Sequence, residues 1–265
     1  MDLVSILIAT GVVGGVGIVI ALFLGVASNA FRVEVNEQEV AVLDALPGNN
    51  CGGCGYAGCS GLAKAIANGE AAVGACPVGG DAVADEIARI MGMESEGATK
   101  QVAYVRCNGN CNHAKTDYNY TGVEDCRMLA YVPSGGPKSC NDGCLGYGTC
   151  VTACPFDAIH IVDGVAVVDK GACKACSKCI EVCPKNLIAL VPYETKYIVS
   201  CQSKEKGPAT MKACDVGCIG CGICVKNCPK SAIKIEEFHA VIDQELCVGC
   251  GICAQKCPKH SIECI

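Results

Sequence analysis

Four runs of closely spaced cysteines, each ending in Cys-Pro, constrain this chain more than any other feature. They are CNDGCLGYGTCVTACP from Cys140, CKACSKCIEVCP from Cys173, CIGCGICVKNCP from Cys218 and CVGCGICAQKCP from Cys247. Three read C-x2-C-x2-C-x3-C-P without a departure, and the first is a variant. Cysteines two residues apart, repeated three deep, aim their thiolates at one centre. The chain has 26 cysteines in 265 residues, a fraction that would suit a small secreted disulfide scaffold. Disulfides, however, each demand their own Cα–Cα distance and torsion, which this spacing does not supply. Zinc is the stronger competitor, since C-x2-C pairs also bind zinc. A zinc ribbon joins two such pairs and needs neither the third close cysteine nor the terminal proline.

The pattern is that of bacterial 4Fe–4S sites, in which the fourth cysteine of each run ligates the other cluster of a pair. The C-terminal half is also an internal repeat. KSCNDGCLGYGTCVTACP from Lys138 aligns without gaps on KACDVGCIGCGICVKNCP from Lys212, an offset of 74, and CKACSKCIEVCPKNLI from Cys173 aligns on CVGCGICAQKCPKHSI from Cys247 at the same offset. Each half reads as a two-cluster unit with paired strands and two short helices. The motif groups Cys218, Cys221 and Cys224 with Cys257, and Cys247, Cys250 and Cys253 with Cys228. In the preceding unit it groups Cys173, Cys176 and Cys179 with Cys154.

The remaining site is irregular, because Tyr147 stands where the repeat has Cys221. Cys144, Cys150 and Cys183 need a fourth ligand. Cys140, four residues upstream of Cys144, is the nearest donor; a three-cysteine site with a labile or absent iron is the other reading. Counting the separate site described next, five clusters take 20 cysteines. Cys107, Cys111, Cys126, Cys201, Cys214 and Cys264 are left over. Cys126 and Cys140 are spaced much like Cys201 and Cys214. CNGNC from Cys107, with Cys126, could begin a sixth site completed by Cys140, Cys201 or Cys214. Buried free thiols are the plainer alternative.

Upstream lies a different cysteine order, C-x2-C-x4-C-x16-C-P, at Cys51, Cys54, Cys59 and Cys76. Glycines at 52, 53, 55 and 58 let the backbone curl and point amide N–H groups at an anionic cluster. Residues 61–69 read as a short helix that carries the chain back to Cys76. Asp81 to Met91 reads as an amphipathic helix with Val83, Ile87 and Ile90 inward.

At the front, Leu3 to Phe31 is a run of 29 residues without a charge, longer than the roughly 20 needed to span a bilayer. A cleaved signal peptide would have a basic start and a shorter apolar core; here Asp2 precedes the run and Arg32 follows it. The expectation is an uncleaved, single-pass anchor in the cell membrane with the soluble domains on the cytoplasmic side. Gly11 and Gly15, with Gly14 and Gly17 beside them, suit close packing against another membrane helix. An acid-rich connector, Val33 to Leu46, leads to the first soluble domain.

The net charge of −6 argues against nucleic acid as a general partner. Lys174, Lys178, Lys185, Lys226, Lys230, Lys256 and Lys259 fall within or just after the cysteine runs. They are either ordinary solvated charge or a basic docking face for an acidic electron carrier. His113, His160, His239 and His260 are scattered. No Gly-rich dinucleotide fingerprint lies between a strand and a helix, so no flavin or NAD site is expected on this chain.

An N-terminal helix, then C-x2-C-x4-C-x16-C-P, then ferredoxin-type runs: this order resembles the B subunit of the Rnf complex, in its longer clostridial-type form, over nearly the whole chain. The resemblance implies a membrane-anchored electron-transfer subunit of an ion-translocating ferredoxin:NAD oxidoreductase. Reduced ferredoxin would be its donor, flavin and NAD would belong to partner membrane subunits, and this chain alone would have no complete active site. A polyferredoxin subunit of a membrane hydrogenase, a corrinoid-linked iron–sulfur protein and a structural zinc protein are the alternatives. The expected fold is α+β. Residues 1–31 form a transmembrane anchor, 32–94 a small helical 4Fe–4S domain, and 95–137 a cysteine-containing connector. Residues 138–195 and 196–265 form two tandem bacterial-type two-cluster ferredoxin units.

Overall fold

The computed structural model describes residues 3–30, 36–94 and 100–265. Helix α1 runs Leu3–Ala30 over 28 residues, about 42 Å at the α-helical rise. Over residues 11–27 its large apolar side chains are exposed: Val13 is 72% exposed and Phe23 71%. Counted over the described residues, no helix is long and apolar enough to cross a membrane. Phe31, expected to end the anchor, Arg32, expected as the first cation behind it, and Val33, expected to open the connector, lie outside the described residues.

Helices α2 (Glu37–Ala45), α3 (Gly58–Ala67) and α4 (Gly80–Met91) pack into a small unit. Asn36 caps α2 by accepting the Gln38 N–H at 3.0 Å, and Glu37 and Glu39 in the first turn complement the helix dipole. Gly92, at φ 67°, closes α4 with a left-handed cap. Val42, Leu62, Ile66 and Ile87 meet in the core, each at most 1% exposed, with Val83 and Ile90 packed beside them. Cys54, Cys59 and Cys76 rest on the same core, so the helices that bury apolar surface also place the thiols.

The rest of the chain folds as two similar units. In the first, β1 (Gln101–Val105) pairs antiparallel with β4 (Ile188–Pro192), Ala103 opposite Leu190. Between them lie α5 (Thr149–Ala153), the hairpin β2–β3 (Ile159–Val162, Val165–Val168) and α6 (Lys178–Glu181). In the second, β5 (Tyr197–Val199) pairs with β8 (Ile262–Cys264). They enclose α7 (Gly207–Ala213), α8 (Ile223–Lys226), the hairpin β6–β7 (Ile233–Glu236, His239–Ile242) and α9 (Ile252–Lys256). The expected connector 95–137 therefore contains the outer strand of the first unit rather than only a link to it.

Two-stranded ribbons are marginal in water by themselves. Here their inner faces close on sulfur. Cys150 and Cys179 belong to the core formed by Ala103, Val105, Ile159 and Leu187. Cys218, Cys224 and Cys253 belong to the core formed by Val199, Ile233 and Ile262. The units are joined by a polar knot. The Tyr104 and Ser200 hydroxyls lie 2.6 Å apart beside one oxygen of the Glu263 carboxylate, so that one donates to the other and the second donates to the carboxylate. Asn108 Nδ2 donates to the other oxygen of that carboxylate.

Candidate metal centres

No disulfide forms: all 26 cysteines are free. Their placement follows the fold. Each run winds past left-handed residues and then enters a short helix: glycines in three runs, Ala175 (φ 53°) and Ser177 (φ 63°) in the run from Cys173. Gly146 (φ 80°) and Gly220 (φ 62°) occupy matching places in the repeat, and a Cβ there would fall 2.5 Å from the Gly164 carbonyl oxygen and 2.6 Å from that of Phe238. Glycine is needed because the run passes directly under the hairpin tip. The hairpins reciprocate: the Ala166 N–H donates to Cys144 Sγ at 3.5 Å, and its counterpart Ala240 donates to Cys218 Sγ at 3.3 Å. After three of the four terminal cysteines the chain turns so that the amides of Ala158, Ala232 and Ser261 donate to Cys154, Cys228 and Cys257, each at 3.4 Å. Such bonds favour thiolate over thiol.

In the second unit, Cys218, Cys221, Cys224 and Cys257 line one cavity, and Cys228, Cys247, Cys250 and Cys253 line another. In the first unit, Cys154, Cys173 and Cys176 are close charge neighbours of Cys179. In the helical domain, Cys54 and Cys59 face Cys76, whose sulfur also accepts the Gly79 and Val78 amides. Cys59 is positioned by Asn50, whose side-chain oxygen accepts its N–H at 2.8 Å. Cys51, on the same glycine-rich turn, lies beside Cys176 of the first ferredoxin-type unit. Gly53 explains this approach, since a Cβ on it would sit 2.9 Å from the Cys176 Cα.

The irregular site differs from the expectation. Cys144, Cys150 and Cys183 line a cavity with Cys126, and Cys140 is absent from its wall. Cys140 instead lines a separate cavity with Cys107, Cys201 and Cys214. The reason is local. Cys126 lies in the long excursion between Cys107 and Cys140, which returns across α5, where its N–H donates to Thr149 Oγ1 at 2.8 Å. Thr149 in turn donates to Asp125 at 3.0 Å. Arg127 grips the same carboxylate with its guanidinium and backbone N–H, holding Asp125 down at about 2. Tyr147 packs edge-on against Tyr120, ring centroids 5.8 Å apart. Cys111 and Cys264 are exposed and line neither of these two cavities.

The donor sets suit clusters better than single ions. Among the described residues, no three His, Cys, Asp or Glu side chains converge closely enough to hold one metal ion. Tetrahedral zinc with 2.3 Å bonds needs sulfurs about 3.8 Å apart; a cubane carries its own bridging sulfides and takes four thiolates set farther apart. Burial pushes the Cys150 and Cys179 thiols up to about 12 and Cys224 up to about 11. Without metal these thiols stay protonated at neutral pH, so loading them releases protons. Of the basic residues, Lys174, Lys226, Lys230 and Lys256 are exposed, while Lys185 is drawn onto the Asn141 carbonyl at 2.7 Å.

Sequence reasoning passed over three features: the return of Cys126, the Gly53–Cys176 contact and the burial of Lys138. One signal was available. Cys107 follows the strand ending at Val105 as Cys201 follows the strand ending at Val199, which makes Cys107, not Cys126, the counterpart of Cys201.

Comparison with known proteins gives a consistent picture. Residues 46–78 match a family described as a putative Fe-S cluster, and residues 137–184 and 217–261 match 4Fe-4S dicluster domains. The B subunit of the Na(+)-translocating ferredoxin:NAD(+) oxidoreductase complex of Acetobacterium woodii is 46% identical over 91% of this chain and 72% of its own length. The B subunit of the ion-translocating oxidoreductase complex of Methanosarcina acetivorans is 43% identical over 91% of this chain and 92% of its own. The proton-translocating counterpart of Clostridium ljungdahlii is 40% identical over 87% and 82%.

Proposed function

The chain belongs to the B-subunit family of ion-translocating ferredoxin:NAD(+) oxidoreductase (Rnf) complexes, and we propose that it takes electrons from reduced ferredoxin and relays them to the other subunits. A 4Fe–4S cluster supplies one-electron acceptance at each site. The chain's own residues hold the thiolates, exclude water and set the spacing between sites. We assign Cys51, Cys54, Cys59 and Cys76 to one site and Cys126, Cys144, Cys150 and Cys183 to a second. The third takes Cys154, Cys173, Cys176 and Cys179; the fourth Cys218, Cys221, Cys224 and Cys257; the fifth Cys228, Cys247, Cys250 and Cys253.

The observation that carries this reading is the contact between domains at Gly53. It sets Cys51 of the helical domain beside Cys176, while Cys150 of the next site neighbours Cys179. Thiolate sets thus follow one another without an intervening domain. We place α1 in the membrane. Its 28 residues, the exposed apolar side chains from Val12 to Val26 and the open glycines at 11, 14, 15 and 17 suit lipid and a neighbouring helix, with the soluble domains on the cytoplasmic side. The exposed lysines near the runs suit an acidic donor, so electron uptake should slow as salt rises.

Removing residues 1–31 tests the relay. The truncated chain should still be reduced by ferredoxin, and NAD reduction by membranes carrying it should vanish. A soluble fragment that reduced NAD by itself would contradict the reading.

A further inference from the structure

Cys107, Cys140, Cys201 and Cys214 line one cavity at the junction of the two ferredoxin-type units. Only Cys140 falls within a matched family domain; the other three lie outside all of them. The set is two-fold in origin. Cys107 follows β1 as Cys201 follows β5, and Cys140 maps onto Cys214 at the repeat offset. Each unit therefore contributes one cysteine from just after its outer strand and one four residues before the leading cysteine of its first site. The segments are locked together: Lys115 N–H donates to the Ala213 carbonyl and Asp215 N–H to that of His113, both at 2.9 Å. Gly109 fills the space between two of the thiols, since a Cβ there would lie 3.4 Å from Cys214 Sγ and 3.6 Å from Cys107 Sγ.

The surroundings suit an anionic occupant. Lys138 is 9% exposed and lines this cavity. Its ammonium donates to the carbonyls of Gly109 at 2.8 Å and Gly164 at 3.0 Å, and no carboxylate pairs with it among the described residues. Its repeat counterpart, Lys212, is exposed. A buried cation without a counter-ion is costly, and four thiolates around a cluster would supply the missing negative charge. On one side the Cys144 N–H donates to Cys107 Sγ at 3.3 Å; on the other the Cys218 N–H donates to Cys201. Cys144 and Cys218 are the leading cysteines of the first site in each unit.

We propose that Cys107, Cys140, Cys201 and Cys214 hold a sixth 4Fe–4S cluster that bridges the two ferredoxin-type units. The four thiols lose four protons as the cluster binds. A cluster held by these four thiolates would accept one electron from one unit and pass it to the other, with no bond made or broken. The proposal rests on the electron-relay reading, because a cluster here matters only if its neighbours carry clusters too.

Native mass spectrometry of the anaerobically purified full chain counts whole clusters. Six are expected, with about 24 irons and 24 sulfides at four of each per cluster. Five would overturn this proposal and leave the relay intact; none would overturn the relay itself. C214S should retain five clusters and C264S all six. Six clusters in C214S would overturn the assignment. If C214S fails to fold, C107S on the opposite unit provides the same comparison, and the count on the unaltered chain decides by itself.

Discussion

The two ferredoxin-type units share topology, hairpin hydrogen bonds and left-handed glycines, yet they complete their first sites differently. The second unit takes all three leading thiols from one run, Cys218, Cys221 and Cys224. The first has Tyr147 at the middle position, and Cys126 reaches the cavity from another segment. Between strand-end and repeat cysteines the first unit has 32 residues, from Cys107 to Cys140, and the second has 12, from Cys201 to Cys214, a difference of 20. The extra length carries Cys126 and its anchors. What a cluster requires is a thiolate at a place in space, and a longer connection can deliver one when the motif lacks it.

The contrast extends to Lys138 and Lys212, matched in the repeat but buried in one unit and exposed in the other. K138M should give the largest stability effect, about 1.5–3 kcal/mol, because two carbonyls lose a charged donor. K212M should stay within about 0.5 kcal/mol. Anaerobic guanidinium midpoints compare the two, and equal midpoints would break the contrast. T149V comes next. It leaves the Cys126 N–H unpaired over the cavity, at about 1–2 kcal/mol, so that amide should exchange roughly tenfold faster or more. Unchanged exchange would mean that Thr149 does not pin the returning loop. Y147A should cost least, about 0.5–1.5 kcal/mol from the lost Tyr120 contact, with no loss of iron. An iron-deficient Y147A would make the tyrosine part of the site.

Much of this was legible in the sequence because cysteine spacing is local. A C-x2-C-x2-C run specifies its own turn and helix, and the offset of 74 exposes both units. The helices over Gly58–Ala67 and Gly80–Met91 follow from apolar periodicity, with Ile87 fully buried as its spacing requires. What was not legible depends on contacts distant in sequence. Nothing near Cys126 says that it returns to Thr149, and proximity along the chain favoured Cys140. Likewise β1 is recognisable as part of a unit only through its pairing with β4, more than 80 residues away. Gly53 reads as one glycine among several until Cys176 is seen against it.

Cys126 lines the cavity that lacks a thiol at Tyr147, and iron analysis of C126S tests most directly the proposal that it serves as the replacement ligand. The expected result is a loss of about one to four irons per chain from the first unit, restored when Y147C is added to the same chain. An unchanged iron content in C126S would contradict it.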